Sequence, residues 1–273
     1  MAITDSTLKA GARPPYRFYK PSMTTEGAST WQSLWKANGN PVAGATPPAS
    51  TAGSGYIPTR STTGALGQVN AAGGNELRAI GLSARPTVQG SLILYDRLWA
   101  CSGFGTVSTS TQNVTTPGSL TSGRLRTAGD YTDVEMWLEV YTAPGATTAT
   151  WTIVANDGGG SSRSYTYTHP ANAETVGQMM PVTVPAGAAA GVQQVTSFTA
   201  SVSSGTAGDI GVTLLRPIAE IDLALTNTPS FRGALDLALA KVADDACLAF
   251  MVQCTATTSG FIAGLLGLSE ITP

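Results

Sequence analysis

The sequence predicts a mainly β protein: an antiparallel β-sandwich or jelly-roll body preceded by a long extended N-terminal arm. Three observations predict it. Residues 134–141, "VEMWLEVY", alternate, with Val134, Met136, Leu138 and Val140 on one face and Glu135, Trp137, Glu139 and Tyr141 on the other. Turn signals such as "TAPGATT" and "NDGGGSS" separate runs of this kind at short intervals. The stretch from the start to about residue 84 has almost no sustained periodicity and is rich in Gly, Ala, Pro, Ser and Thr.

The arm, 1–84, is read first. "RPPYRFYKP" sets aromatic residues between prolines, which favours an extended path. "STWQSLWKANG" has helical spacing: Ser29 or Thr30 caps it, Trp31, Leu34 and Trp35 follow i, i+3, i+4, and Gly39 ends it. A short helical anchor is therefore expected near 29–38. Residues 40–74 have a linker-like composition that cannot bury enough apolar surface to fold alone. Ordering such a segment costs about 1–2 kcal/mol per residue, so it needs anchors on a partner. Tyr16, Phe18, Tyr19, Trp31, Leu34, Trp35 and Tyr56 are spaced along it as interface anchors. The pocket for Trp35 is expected to be made largely by something other than the chain's own β body.

The body, 85–273, reads as strands at 134–141, "TWTIVA", "RSYTYTH", 192–202, 208–215 and 219–226, closed by "LAFMVQCT" and "GFIAGLLGL". Two segments are ambiguous. "SLILYDRLWACSGFG", 91–105, fits a short helix or a strand leading into the sheet. Residues 232–246 combine strand alternation at Leu235, Leu237 and Leu239 with helical spacing at Leu235, Leu239 and Val242. A strand leading to a turn at Asp244–Asp245 is favoured.

Composition bounds the function. The chain has 273 residues, with 31 Gly and 16 Pro, and only 12% charged residues against about 25% in ordinary domains. That profile suits strands, turns and a surface covered by other protein. The net charge of −2 without a basic stripe argues against nucleic acid. No apolar run approaches the roughly 20 residues of a membrane span, and "MAITDSTLKAG" lacks the apolar core of a signal peptide. No nucleic-acid and no membrane partner is expected, and synthesis in a cytoplasm is. Cys101, Cys247 and Cys254 are odd in number and widely spaced, as reduced core thiols are.

Catalytic signals are sparse. His169 is the single histidine, with Asp157 in a neighbouring turn, but no nucleophile elbow marks a serine. Glu135 and Glu139 lie four apart on one strand face, roughly 13–14 Å by strand rise, which is wide for a glycosidase pair. They read instead as a solvent-facing strand surface. "NDGGG", 156–160, lacks calcium-loop spacing and reads as a hairpin loop. Trp137, Tyr141, Trp151, Tyr165 and Tyr167 fall on adjacent strands, either as a sugar-binding platform or as sheet-stabilising pairs. No catalytic, cofactor or metal residues are assigned, and no enzyme is expected.

The short polar start, the Gly/Ala/Pro/Thr arm, the hydroxyl-rich β body and the scarcity of charge together resemble virion structural proteins of tailed bacteriophages, of the capsid cement or minor capsid type. The resemblance implies a decoration protein made in the host cytoplasm and located in the virion. It implies a homo-oligomer, a trimer being favoured, that pins a major capsid protein or other virion subunits with extended arms. A collar, portal-vertex or tail component, and a carbohydrate-binding module, are the alternatives.

Overall fold

The computed structural model describes residues 3–21, 28–49, 55–114, 120, 122–172, 174–257 and 260–273. One short helix, α1 (Asp5–Ala10), opens them. Strands β1 (Tyr16–Lys20), β2 (Trp31–Ser33), β3 (Glu76–Pro86), β4 (Gly90–Gly105) and β5 (Gln112–Asn113) follow. After a 3₁₀ turn, Ser122–Arg124, come β6 (Glu135–Thr142), β7 (Ala149–Asp157), β8 (Ser162–His169), β9 (Gln178–Pro181) and β10 (Val192–Ala200). The last are β11 (Asp209–Leu223), β12 (Ser230–Gly233), β13 (Lys241–Val242), β14 (Leu248–Cys254) and β15 (Ile262–Ile271).

The predicted mainly β fold stands, and its centre is a closed barrel in the order β11-β4-β14-β2-β9-β6. A five-stranded sheet, β1-β15-β3-β12 with β13 also on β3, packs on one side of it. Their shared core includes Leu77, Leu82, Leu94, Ile221, Phe250 and Leu266. A four-stranded sheet, β5-β10-β7-β8, packs on another side through Phe104, Leu138, Trp151, Ile153, Phe198 and Val212. A third cluster fills the barrel itself with Trp35, Tyr95, Trp137, Leu215 and Met251.

Barrel strands are therefore buried on both faces, which is why they read as near-continuous apolar runs. In β14, Leu248, Phe250 and Val252 enter the first core while Ala249 and Met251 point into the barrel. In β6 the alternation is as expected, but the face carrying Trp137, Glu139 and Tyr141 is not in solvent. Glu139 is fully buried inside the barrel. The solvent-facing reading is corrected: a charged residue was placed inside because an arginine awaits it there.

Two expected strands, 208–215 and 219–226, are one strand, β11. Pro217 has no N–H to give the ladder, and the register against β4 shifts between Pro217 and Ala219. Before the shift, Ile210, Val212 and Leu214 feed one core; beyond it, Ile221 and Leu223 feed the other. Residues 91–105 are the strand β4 rather than a helix. Residues 234–239 are turns between β12 and β13 rather than the favoured strand, and the expected turn at Asp244–Asp245 follows β13. Ala238 and Leu239 have left-handed backbone (φ 48° and 50°), which breaks both the helical and the strand pattern.

The N-terminal region is woven into these sheets. β1 lies along β15, and β3 pairs with β15 over most of its length, so residue 84 falls inside a strand. The helix expected near 29–38 is instead β2 followed by bends. β2 is held between β14 and β9, with Ser33 opposite Met251 and Trp31 opposite Met179, and this pairing overrides the local helical spacing. The coil that follows caps the edge of β4 that β14 leaves unpaired. Ser102 donates to the Pro48 and Pro47 carbonyls (2.9 and 2.6 Å), and Tyr56 and Ala100 exchange backbone bonds at 2.9 and 3.0 Å. Glycine is required where this coil meets tryptophan: a Cβ on Gly44 would lie 2.1 Å from the Trp35 indole, and one on Gly55 2.0 Å from that of Trp99.

Candidate functional site

The seven expected anchors separate by burial. Phe18, Leu34 and Trp35 are 2%, 1% and 1% exposed within the single chain. Phe18 packs on Phe250 with ring centroids 4.3 Å apart. The Trp35 indole donates to the Ala45 carbonyl at 2.9 Å, and the Arg97 guanidinium sits 4.8 Å from its ring. The pocket for Trp35 is thus made by residues of its own β body, such as Tyr95, Leu215 and Met251, which corrects the expectation that it lies elsewhere. Trp31 meets Trp137 edge-on at 6.2 Å. Tyr16 accepts from the Val69 N–H, and burial pushes the Tyr56 phenol up to about 12. Tyr19 alone of the seven is exposed, at 46%.

Inside the barrel, Arg97 and Glu139 form a fully buried ion pair, Nη2 to Oε2 at 2.6 Å. The same Oε2 accepts from the hydroxyls of Tyr141 (2.6 Å) and Thr213 (2.9 Å). Burial pushes the Glu139 carboxyl upward, but the Arg97 charge and these hydrogen bonds outweigh it and hold the group below its ordinary value. A second buried pair joins Arg124 to Asp96, whose carboxylate also accepts from the Cys247 N–H at 2.8 Å. Neither pair opens to solvent, so both act as interior ties.

The expected catalytic and binding groups lie in similar settings. His169 is fully buried, with Nδ1 bonded to Glu174 (2.7 Å), Nε2 to the Gly145 carbonyl (2.8 Å), and its ring stacked on Trp151 at 4.6 Å. Its register partner is Ala149, whereas Asp157 sits at the other end of the β7–β8 hairpin, so the two do not meet. Asp157 organises the hairpin loop: bonds from the Ala189, Ser161 and Gly159 N–H groups and from Arg163 hold it down at about 2. Trp151 and Tyr165 are buried and Trp137 and Tyr141 nearly so, which leaves no open aromatic platform for sugar among them. All three cysteines are buried free thiols.

What remains open is the outer face of the five-stranded sheet. Across it, Arg17, Leu265, Ser83 and Phe231 lie in one register row, and Tyr19, Ala263 and Arg85 in the next. A shallow groove of about 500 Å³ runs over Tyr19, Ser83, Arg85, Ala263 and Leu265. Phe231 is 69% exposed and its ring lies over Gly81. Leu225 and Leu235, at 59% and 92%, flank it in sequence. Sequence patterning missed these residues because "NTPSFRGALD" reads as turn; a phenylalanine alone between turn formers was the available signal.

No protein-family model matches the chain, and no curated protein matches it. Among solved structures it is similar to the VP2 subviral particle of infectious bursal disease virus, at 10% identity over 99% of this chain and 83% of that one, with a TM-score of 0.22. It is also similar to the Gt strain of that virus (13% identity, 99% and 83% covered, TM-score 0.19). The Gx strain is the third (10% identity, 100% and 84% covered, TM-score 0.21). These are viral capsid proteins, and none is from a tailed bacteriophage. TM-scores this small carry no argument about function.

Proposed function

We propose that this chain is a non-enzymatic structural subunit of a virion, docking on a major capsid protein or sister copies as a cement or minor capsid protein does. The observation that carries the reading is an exposed apolar set around β12: Tyr19 and Phe231 on the outer sheet face, and Leu225 and Leu235 in the loops on either side of β12, stay in solvent while Phe18, Leu34 and Trp35 are folded inward. Apolar side chains held open on a finished sheet face are the mark of a protein interface. The low charge density supports the same reading, because a surface destined for cover needs few solvating groups. The absence of an accessible nucleophile–base pair around His169 supports a role without catalysis.

Full burial of Phe231 and Leu235 at an interface is worth about 1.5–3 kcal/mol each. The test is co-sedimentation of the purified chain with isolated shells, together with sedimentation velocity of the chain alone. The F231A/L235A double variant should bind shells at least a hundredfold more weakly while keeping its thermal midpoint. A trimer in velocity runs that the double variant lacks would place the partner in a sister copy. Wild-type affinity in the double variant would refute the reading.

A further inference from the structure

A cavity of about 440 Å³ opens between β3, the break in β11, the 126–133 segment and the turn before β13. It lies within the roughly 300–1,000 Å³ typical of small-molecule sites. Four cationic side chains line it, Arg78, Arg126, Arg216 and Lys241, against two carboxylates, Glu76 and Asp133. Glu76 is already shared: it pairs with Arg78 at 2.5 Å and with Lys241 at 2.9 Å. The remaining groups have no such partner.

Arg216 is the decisive residue. It is 3% exposed, and among the described residues it forms no ion pair. Among the described residues its side chain makes one hydrogen bond, a long one from Nη2 to the Lys241 carbonyl at 3.3 Å, and its Nε is buried without a partner. The Nε of Arg78 is likewise buried and unpartnered. Arg126, at the exposed rim, makes no hydrogen bond or ion pair among the described residues. A buried guanidinium without a paired counterion is costly, and here burial depresses its basicity while the charges of Asp96, itself paired to Arg124, and Asp133 only partly compensate. Arg216 precedes Pro217, next to the register shift at which β11 passes from one core to the other, and both residues line the cavity.

Asp133 defines which anion fits. Its Oδ1 is buried with no partner, and an ionised carboxylate can only accept. The matching ligand presents bare oxygens to arginine and one hydroxyl to Asp133. Hydrogen phosphate does so near neutral pH; sulfate has no proton to offer. We propose that this cavity binds a phosphate group, with Arg216 and Arg126 donating to its oxygens and Asp133 accepting from its protonated oxygen. Charge-assisted bonds of the guanidinium–phosphate kind supply the affinity, and Asp133 supplies the selectivity. The site is independent of the interface described above, since it lies on other residues.

The experiment is isothermal titration of the full chain in chloride buffer at pH 7, with inorganic phosphate, sulfate and glycerol 1-phosphate at matched ionic strength. Inorganic phosphate is expected to bind with a millimolar or tighter Kd and sulfate at least tenfold more weakly. Arg126→Ala, at an exposed position that folding does not need, should weaken phosphate about tenfold. Asp133→Asn should narrow the gap between phosphate and sulfate, because an amide donates where the carboxylate accepted. Glycerol 1-phosphate, at pH 7 mostly a dianion without a P–OH, is expected to bind more weakly than free phosphate; equal affinity would overturn the role given to Asp133. No heat with phosphate up to 20 mM, or equal binding of phosphate and sulfate that Arg126→Ala leaves unchanged, overturns the proposal.

Discussion

Replacing Glu139 by Gln keeps the shape of the barrel interior and removes one charge. In the wild type, Glu139 Oε2 accepts from Arg97, Tyr141 and Thr213, and neither member of the ion pair reaches solvent. The variant leaves the Arg97 guanidinium buried without a counterion, with its Nε and Nη1 already lacking partners. Breaking a buried pair from one side costs roughly 3–5 kcal/mol. Against a total stability of about 5–15 kcal/mol, this is a large fraction. Guanidinium unfolding monitored by tryptophan fluorescence should therefore show a marked drop in midpoint with little change in slope. The double variant Arg97→Met, Glu139→Leu removes both charges and should recover much of the loss. The pair also predicts an acid response. Because the Glu139 carboxyl is held below its ordinary 4.5, its contribution is present above that value and is lost as pH falls through the lower folded value. A loss under about 1 kcal/mol in Glu139→Gln, or a double variant worse than the single, would show that the pair is not the tie described.

Two further outcomes follow from the coil and the chain ends. Gly55→Ala drives a Cβ into the Trp99 indole and should cost about 1–3 kcal/mol as overpacking, whereas Gly73→Ala, with nothing within 4 Å, should change the thermal midpoint little. Equal shifts in the two would remove the role given to Gly55. Glu270, held down to about 2 chiefly by Arg13 and also by Asn75 and the Ala72 N–H, should release residues 8–13 and 70–75 as pH falls from its ordinary 4.5 toward 2. Hydrogen exchange of those segments should rise across that window, and Glu270→Gln should raise it already at pH 7; exchange that ignores both pH and the substitution would refute the linkage.

Strand alternation in the body was legible because each strand there has a regular inside and outside. "VEMWLEVY" announced its period although not that both of its faces are interior, because period alone does not say what lies beyond a face. The single charged residue on the inward side, Glu139, could be placed only once Arg97 was known to oppose it. The N-terminal region hid more. Trp31, Leu34 and Trp35 carry helical spacing, yet β9 and β14 hold Trp31–Ser33 extended, and such long-range pairing leaves no local trace. The composition of 40–74 reads as a linker, whereas Gly44 and Gly55 are there so that backbone can lie flat on indole rings. Of the cavity around Arg216, the sequence displayed only "LLRPIAEI", an arginine before a proline inside an apolar run.

The pairing of β1 with β15 brings residues 16–20 against 262–266. Closing a loop of roughly 240 residues costs about 5 kcal/mol in chain entropy, and no gain arrives until both strands exist. On the ribosome, then, Phe18 waits for β15 to emerge before it has a place to go. Such non-local topology folds slowly and leaves apolar edges open meanwhile. A nascent chain of this protein should therefore depend on protection until residues 262–271 have emerged, and a premature stop before residue 262 should yield not a smaller folded protein but an insoluble one.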